Sequence, residues 1–166
     1  SSLAALTEKA VPFEVVEVSL VDGAHLEPTY RDASLTARVP SLEHDGLRIA
    51  ESSAIAEYLD EVLPAPAHRR LLPADVKDRA RARQLMAWMR SDLAALRDER
   101  STVTMFHRLE LPPLTQAGER DARKLLRVAE RSIPSGGGAL FGDWCLADSE
   151  LAFMLQRLIL AGEDVP

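Results

Sequence analysis

The chain is poor in several things, and each shortage excludes a class of protein. It holds one cysteine, Cys145, in 166 residues, so no disulfide can form within it, and a reducing, cytoplasmic setting is expected. No apolar run approaches the roughly 18 residues of a membrane-spanning helix. The start of the chain lacks a basic stretch followed by an apolar core, so no signal peptide is expected. Positive charge is scarce as well: 20 Lys and Arg face 26 Asp and Glu, a net charge of −6, and nucleic acid is a poor partner for a chain without clustered cations. His25, His44, His68 and His107 show neither metal-ligand spacing nor a nearby cysteine pair, so no metal site is expected and surface or loop roles are the default. No repeat of solenoid length is visible.

What is present is an ordinary globular composition, 46% hydrophobic and 28% charged, on a chain long enough to bury about two-thirds of its unfolded surface. Residues 3–10 read as a helix with Leu3, Leu6 and Ala10 on one side. Residues 13–18, Phe-Glu-Val-Val-Glu-Val, read as a strand rich in β-branched side chains. A polar loop over residues 23–34 leaves room for a short helical turn after Pro28.

The densest signals lie between Val39 and Ser53. Leu42-Glu43-His44 and Leu47-Arg48-Ile49 flank Asp45-Gly46, a two-residue hairpin signature, because the turn needs positive φ at both central positions. Pro40 precedes the first of these strands and cannot donate to a ladder, so Val39 keeps a backbone edge free for an extended ligand. A cis Val39-Pro40 bond would point that edge outward. After the second strand, Glu51-Ser52-Ser53 opens a run in which Ile55, Tyr58, Leu59 and Val62 recur at helical spacing, with Ser52 as its N-cap. A helix start there offers N–H groups and a hydroxyl to an anion. Taken singly, Pro40 could merely end an edge strand, Ser52 could be an ordinary cap and Glu51 could complement the helix dipole. Together they describe a peptide-binding edge beside a carboxylate-binding helix end.

Pro64, Pro66 and Pro73 then interrupt regular structure, and the pattern changes. Helical segments are expected at residues 74–103, 115–133 and 146–160, with Gly136-Gly137-Gly138 as a flexible loop before the last. Leu85, Trp88, Met89 and Leu96 form an apolar stripe suited to a core. Arg79, Arg81 and Arg83 alternate with alanine, which on a helix spreads them over two faces as a solvated surface or a subunit contact. The expected organisation is an α/β domain at residues 1–63, a linker at 64–73 and an all-α helical bundle domain at 74–166.

Val39-Pro40, the Asp45-Gly46 hairpin and Glu51-Ser52-Ser53-Ala54-Ile55-Ala56-Glu57-Tyr58-Leu59 resemble the glutathione-binding half of the thioredoxin-like domain in glutathione transferases. The run from Asp75 to Arg100 is similar to the long first helix of that family's helical domain, and Phe141-Gly142-Asp143-Trp144-Cys145-Leu146-Ala147-Asp148 to the segment entering its central helix. The resemblance spans nearly the whole chain and is nearest to a bacterial branch of the superfamily. It implies a partial thioredoxin-like domain followed by a partial helical domain. The family's opening strand and the loop carrying its catalytic Tyr, Ser or Cys have no counterpart here. Ser1 and Ser2 fall past the catalytic position, so the residue that steadies the thiolate stays unassigned.

For the remaining site the resemblance implies that the Val39 backbone, beside Pro40, pairs with the cysteinyl unit of glutathione. Glu51 would take the γ-glutamyl ammonium, and the Ser52 hydroxyl with the N–H groups of Ser52 and Ser53 would hold the γ-glutamyl carboxylate. The implied activity is conjugation of glutathione to a hydrophobic electrophile, or glutathione-dependent reduction of a peroxide or disulfide, in a two-fold homodimer; the alternative is a non-catalytic protein-interaction module on the same fold. Trp88, Asp92 and Phe106 are candidates for the second-substrate pocket. Cys145 and Asp148 fall where the family places a capping box, one that cysteine would weaken, and a buried Cys145 is expected to be structural.

Overall fold

In a computed structural model the described residues are 1–103 and 111–165, and they divide into two compact units, Ser1–Leu71 and Leu72–Pro166. The first holds helices and a two-stranded hairpin; in the second the described elements are helices, with two isolated β-bridges, Ala139 to Gly142 and Phe141 to Asp143, beside them. Phe106 and His107 lie outside the described residues.

In the first unit, α1 (Ser2–Lys9) packs against α3 (Ser52–Val62), and α3 packs against a hairpin of β1 (Ser41–His44) and β2 (Leu47–Ala50). A 3-10 turn at Ala24–Leu26 and the short α2 (Pro28–Ala33), which begins on its proline, lie between α1 and the hairpin. The strands pair antiparallel, with His44 opposite Leu47 and Ser41 opposite Ala50. Asp45 and Gly46 both have positive φ, 50° and 80°, so the turn has the expected handedness.

Two expectations fail here. The buried face of α1 is Ser2, Ala5 and Lys9, whereas Leu3 is 61% exposed. The helix turns this way because the Lys9 ammonium is satisfied inside the unit: Nζ donates to Asp60 Oδ1 and to the Leu63 carbonyl, each at 2.7 Å. Asp60 also accepts the Leu71 N–H at 2.9 Å, so one carboxylate joins α1, α3 and the segment that follows. Residues 13–18, expected as a strand, form none. Among the described residues the two hairpin strands pair only with each other, and β-branched composition cannot make a strand without a neighbouring ladder.

In the second unit, α4 (Val76–Ser91) is capped by Asp75, which accepts from Lys77 and Asp78 N–H at 2.8 and 3.0 Å. The single long helix expected over residues 74–103 is broken. Asp92 is extended, Leu93 is left-handed at φ 60°, and α5 (Ala94–Glu99) starts anew. Asp92 makes the break by accepting the Leu93 N–H at 2.8 Å and the Trp88 indole N–H at 2.9 Å, while the Lys124 ammonium also bonds to it. Leu93 is fully buried by the bend, which offsets the roughly 1–2 kcal/mol cost of a left-handed non-glycine residue.

Thr115 opens α6 (Gln116–Ser132). Its hydroxyl accepts the Gly118 N–H at 3.2 Å and donates to Glu99 at 2.6 Å, lashing the end of α5 to the start of α6. Then α7 (Leu146–Ile159) crosses the bundle. Met89, Leu93, Leu96, Leu125, Leu151 and Leu158 form its dry centre, with Leu85 and Trp88 partly buried against it. Arg90 reaches the buried Glu150, and Arg100 reaches Glu163 at 3.0 Å through Nε.

Candidate functional site

The chain between α2 and β1 is short and heavily braced. Tyr30 and Ser34 both donate hydroxyls to the Arg38 carbonyl, at 3.0 and 3.1 Å, and Ser34 is 1% exposed. This fixes the backbone one residue before Val39. The Val39-Pro40 bond is cis, and both residues are exposed. In a two-residue hairpin the residues flanking the turn form a hydrogen-bonded pair and bonded pairs then alternate. Leu42 therefore bonds to Ile49, and the backbone groups of Ser41 and Glu43 face away from β2.

Beyond β2 the chain reverses into α3 through Glu51, which has φ 71° and ψ 116°. A glutamate in this region costs about 1–3 kcal/mol and persists only where its surroundings enforce it. The cap is thus Glu51, with Ser52 the first helical residue, one position off the expected boundary. The correction matters chemically. The Glu51 side chain makes no cap bond, so among the described residues the N–H groups of Ser52, Ser53 and Ala54 remain as donors at the positive end of an 11-residue helix. The first intrahelical bond, Ile55 N–H to the Glu51 carbonyl at 2.9 Å, lies just behind them.

Thr36, which the sequence did not single out, links the two halves of this arrangement. Its hydroxyl donates to Glu51 Oε1 at 3.4 Å, tying the loop that carries Val39 to the residue at the helix start. Tyr30, Ser34 and Thr36 act on backbone or on one carboxylate oxygen from a loop of irregular conformation, so no periodicity could have marked them.

Other residues singled out above make contacts of their own. Ser2 is buried on α1, its hydroxyl without a partner among the described residues. His44 Nδ1 meets the Tyr58 hydroxyl at 2.7 Å, His68 Nδ1 meets the Lys9 carbonyl at 2.9 Å, and His25 Nδ1 is buried with no partner among the described residues. Arg79 staples the start of α4 through the carbonyls of Pro73 and Ala74, at 2.9 and 2.8 Å. Trp88 and Asp92 hold each other at the α4–α5 break. Asp148 takes the Cys145 N–H at 2.8 Å and the Leu140 N–H at 2.7 Å, so the carboxylate half of the capping box is intact. Burial pushes the Cys145 thiol up to about 11, which removes it from thiolate chemistry.

A cavity of about 690 Å³ in the first unit is lined by Phe13, Val16, Val18, β1 and Leu59, and by none of the residues Val39, Pro40, Glu51, Ser52 or Ser53. Among the described residues no group of three His, Cys, Asp or Glu side chains could hold a metal, and no helix is long and apolar enough to cross a membrane.

Comparison with known proteins agrees with this arrangement. Residues 2–62 match the family model for the glutathione S-transferase N-terminal domain, and residues 75–166 match that for its C-terminal domain. The chain is 29% identical to rat maleylacetoacetate isomerase and 36% identical to that of Pseudomonas aeruginosa. Each alignment covers 87% of this chain, and they cover 62% and 66% of the respective relatives. It thus spans less than two-thirds of the length of these curated relatives. The crystal structure of a Burkholderia glutathione transferase homologue with bound glutathione superposes with a TM-score of 0.77 at 41% identity, over 99% of this chain and 76% of that one. With both halves matched in order and nearly end to end, the chain belongs to the glutathione S-transferase family.

Proposed function

We propose that this chain binds glutathione through its first unit and serves a glutathione-dependent transferase. The observation that carries the reading is the uncapped start of α3 behind a strained glutamate, joined through Thr36 to the loop of Val39. Glutathione is an anionic tripeptide, and each of its γ-glutamyl charges has a counterpart. The Ser52 hydroxyl and the N–H groups of Ser52 and Ser53 receive the carboxylate. The Glu51 carboxylate, steadied by Thr36, receives the ammonium. The backbone of the exposed Val39, before Pro40, pairs with the cysteinyl unit as an added strand would. Structure similarity to a homologue with bound glutathione supports the same reading.

The thiolate of bound glutathione is the nucleophile. In conjugation it forms a C–S bond to a hydrophobic electrophile, displacing a leaving group or adding across an activated double bond; in reduction it breaks the O–O bond of a peroxide with release of an alcohol, or the S–S bond of a disulfide with release of a thiol, and a second glutathione completes the reduction to glutathione disulfide. No residue of this chain is assigned to steadying that thiolate. The reading includes domain limits at 1–63 and 74–166 with a linker between, a homodimer, and a cytoplasmic setting. A second reading rests on the relatives named maleylacetoacetate isomerase: the same thiolate adds reversibly to a cis double bond, and rotation before its expulsion gives the trans isomer.

Calorimetric titration of glutathione into the protein and into a Glu51→Ala, Ser52→Ala double variant tests the site. Saturable binding that falls at least about a hundredfold in the variant is expected from the loss of two charge-assisted contacts. Absence of binding to the unaltered protein overturns the enzyme reading and leaves the protein-interaction module.

A further inference from the structure

Cations that are interleaved with acids along the chain are gathered onto one line by α6. In that helix Glu119, Asp121 and Glu130 separate Arg120, Arg123, Lys124, Arg127 and Arg131, which hides the cluster from a linear reading. At about 100° per residue, Arg120, Lys124, Arg127 and Arg131 fall within about 60° of one another on a single face. A surface groove of about 630 Å³ runs beside them, and its lining of Arg120, Arg123, Lys124, Leu126, Arg127 and Glu130 comes wholly from α6.

Most of this charge is unanswered within the chain. Arg123 is joined to Glu119 at 3.2 Å, and Lys124 is bonded to Asp92. The side chains of Arg120, Arg127 and Arg131 are exposed, with no hydrogen bond or ion pair among the described residues. Asp121 is occupied by the Leu96 N–H at 3.2 Å. Arg120 with Lys124, Arg123 with Arg127, and Arg127 with Arg131 are like-charge pairs four residues apart, and each works against the helix. An anionic neighbour would relieve all three.

The same face selects among anions. None of the exposed large apolar side chains lies in α6, so the helix has nothing to bury in a lipid surface. A nucleic-acid strand would carry phosphates past Glu119 and Glu130 as well as past the arginines, on a chain of net charge −6. A polypeptide can set carboxylates against the arginines and neutral or basic side chains against the two glutamates. Guanidinium groups pair bidentately with carboxylates. We propose that this face of α6 docks an acidic polypeptide segment whose carboxylates meet Arg120, Arg127 and Arg131 at intervals of about 10 and 6 Å along the helix. Every residue invoked belongs to α6, so the surface stands or falls separately from the glutathione reading.

Fluorescence anisotropy of a labelled alanine-based peptide with a glutamate at every fourth position tests this on the whole chain. Saturable binding that weakens as salt rises is expected, and none by the same peptide with lysine in place of glutamate. An Arg120→Gln, Arg127→Gln, Arg131→Gln variant should bind at least about tenfold more weakly, the scale of losing three exposed ion pairs. Arg127→Glu alone should weaken binding by about the same factor, through repulsion. Thermal unfolding of the triple variant should be unchanged or raised, since like-charge pairs are removed. An Arg31→Gln, Arg70→Gln, Lys77→Gln variant takes the same charge from exposed positions elsewhere and should stay within about twofold of the unaltered protein. Equal losses in the two triple variants, no saturable binding, tighter binding of an oligothymidylate of equal charge or of phosphatidylserine vesicles, or a smaller oligomer on substituting the α6 arginines would each overturn the assignment.

Discussion

The two units bury apolar surface in opposite proportions. Among the described residues, Leu72–Pro166 buries fifteen apolar side chains and leaves six large ones exposed; Ser1–Leu71 buries five and exposes eleven. The second unit is held by an aliphatic core running through α4–α7. The first relies on polar groups aimed at its own backbone. Lys9 and Asp60 anchor the end of α3, while Tyr30 and Ser34 anchor the carbonyl before Val39. Apolar packing is non-directional and tolerates small shifts. A hydrogen bond to a named carbonyl fixes that atom. The directional links thus sit in the unit whose proposed ligand is read by backbone groups.

Breaking the links of each unit should give distinct losses. Asp60→Ala strands the fully buried Lys9 ammonium and is expected to cost about 4 kcal/mol in urea unfolding of the first unit, as for other buried pairs that lose one partner. A Lys9→Met, Asp60→Leu double variant should recover most of that. If Asp60→Ala alone unfolds with the stability of the unaltered protein, the pair is not an anchor. Leu125→Ala, at a fully buried position of the second unit, should cost about 3 kcal/mol through lost packing and the cavity left behind, with glutathione affinity unchanged in calorimetry.

Glu51→Gly sharpens the comparison because it separates stability from function. Glycine accepts the positive φ at this position, so thermal unfolding should show a gain of about 1 kcal/mol, while glutathione affinity falls. A variant that loses stability would show that the backbone at residue 51 is not strained. The smallest effect concerns acid. The Lys124 ammonium, followed by the Leu93 N–H, lowers Asp92 from 3.8 to about 2. A depressed carboxylate contributes its stability in full above its unfolded value and loses it as pH falls through the folded value. Asp92→Asn should therefore flatten the acid limb of the pH–stability profile between about pH 4 and 2, and should leave stability near neutral pH lower by an amount independent of pH.

The same contrast explains what the sequence disclosed. The helices of the second unit follow local periodicity, so the starts of α6 and α7 were legible from Thr115 and Cys145 onward. The break at Asp92-Leu93 was not, since it depends on Lys124, 32 residues further on. In the first unit the Asp45-Gly46 hairpin needed only local turn chemistry and formed as read. Residues 13–18 had strand composition without a partner. Lys9 was illegible as a buried residue because its acceptors, Asp60 and Leu63, lie more than fifty positions away. At the candidate site, Val39, Pro40, Glu51, Ser52 and Ser53 were marked by a local motif. Thr36, Tyr30 and Ser34, whose contacts depend on loop shape, were not.

The central claim is that glutathione is held by backbone groups of the first unit. Amide chemical shifts of the isotope-labelled protein during glutathione addition test it most directly. Saturable shifts concentrated at Val39, Ser52, Ser53 and Ala54 are predicted. Shifts confined to Leu72–Pro166, or none at saturating glutathione, would contradict it.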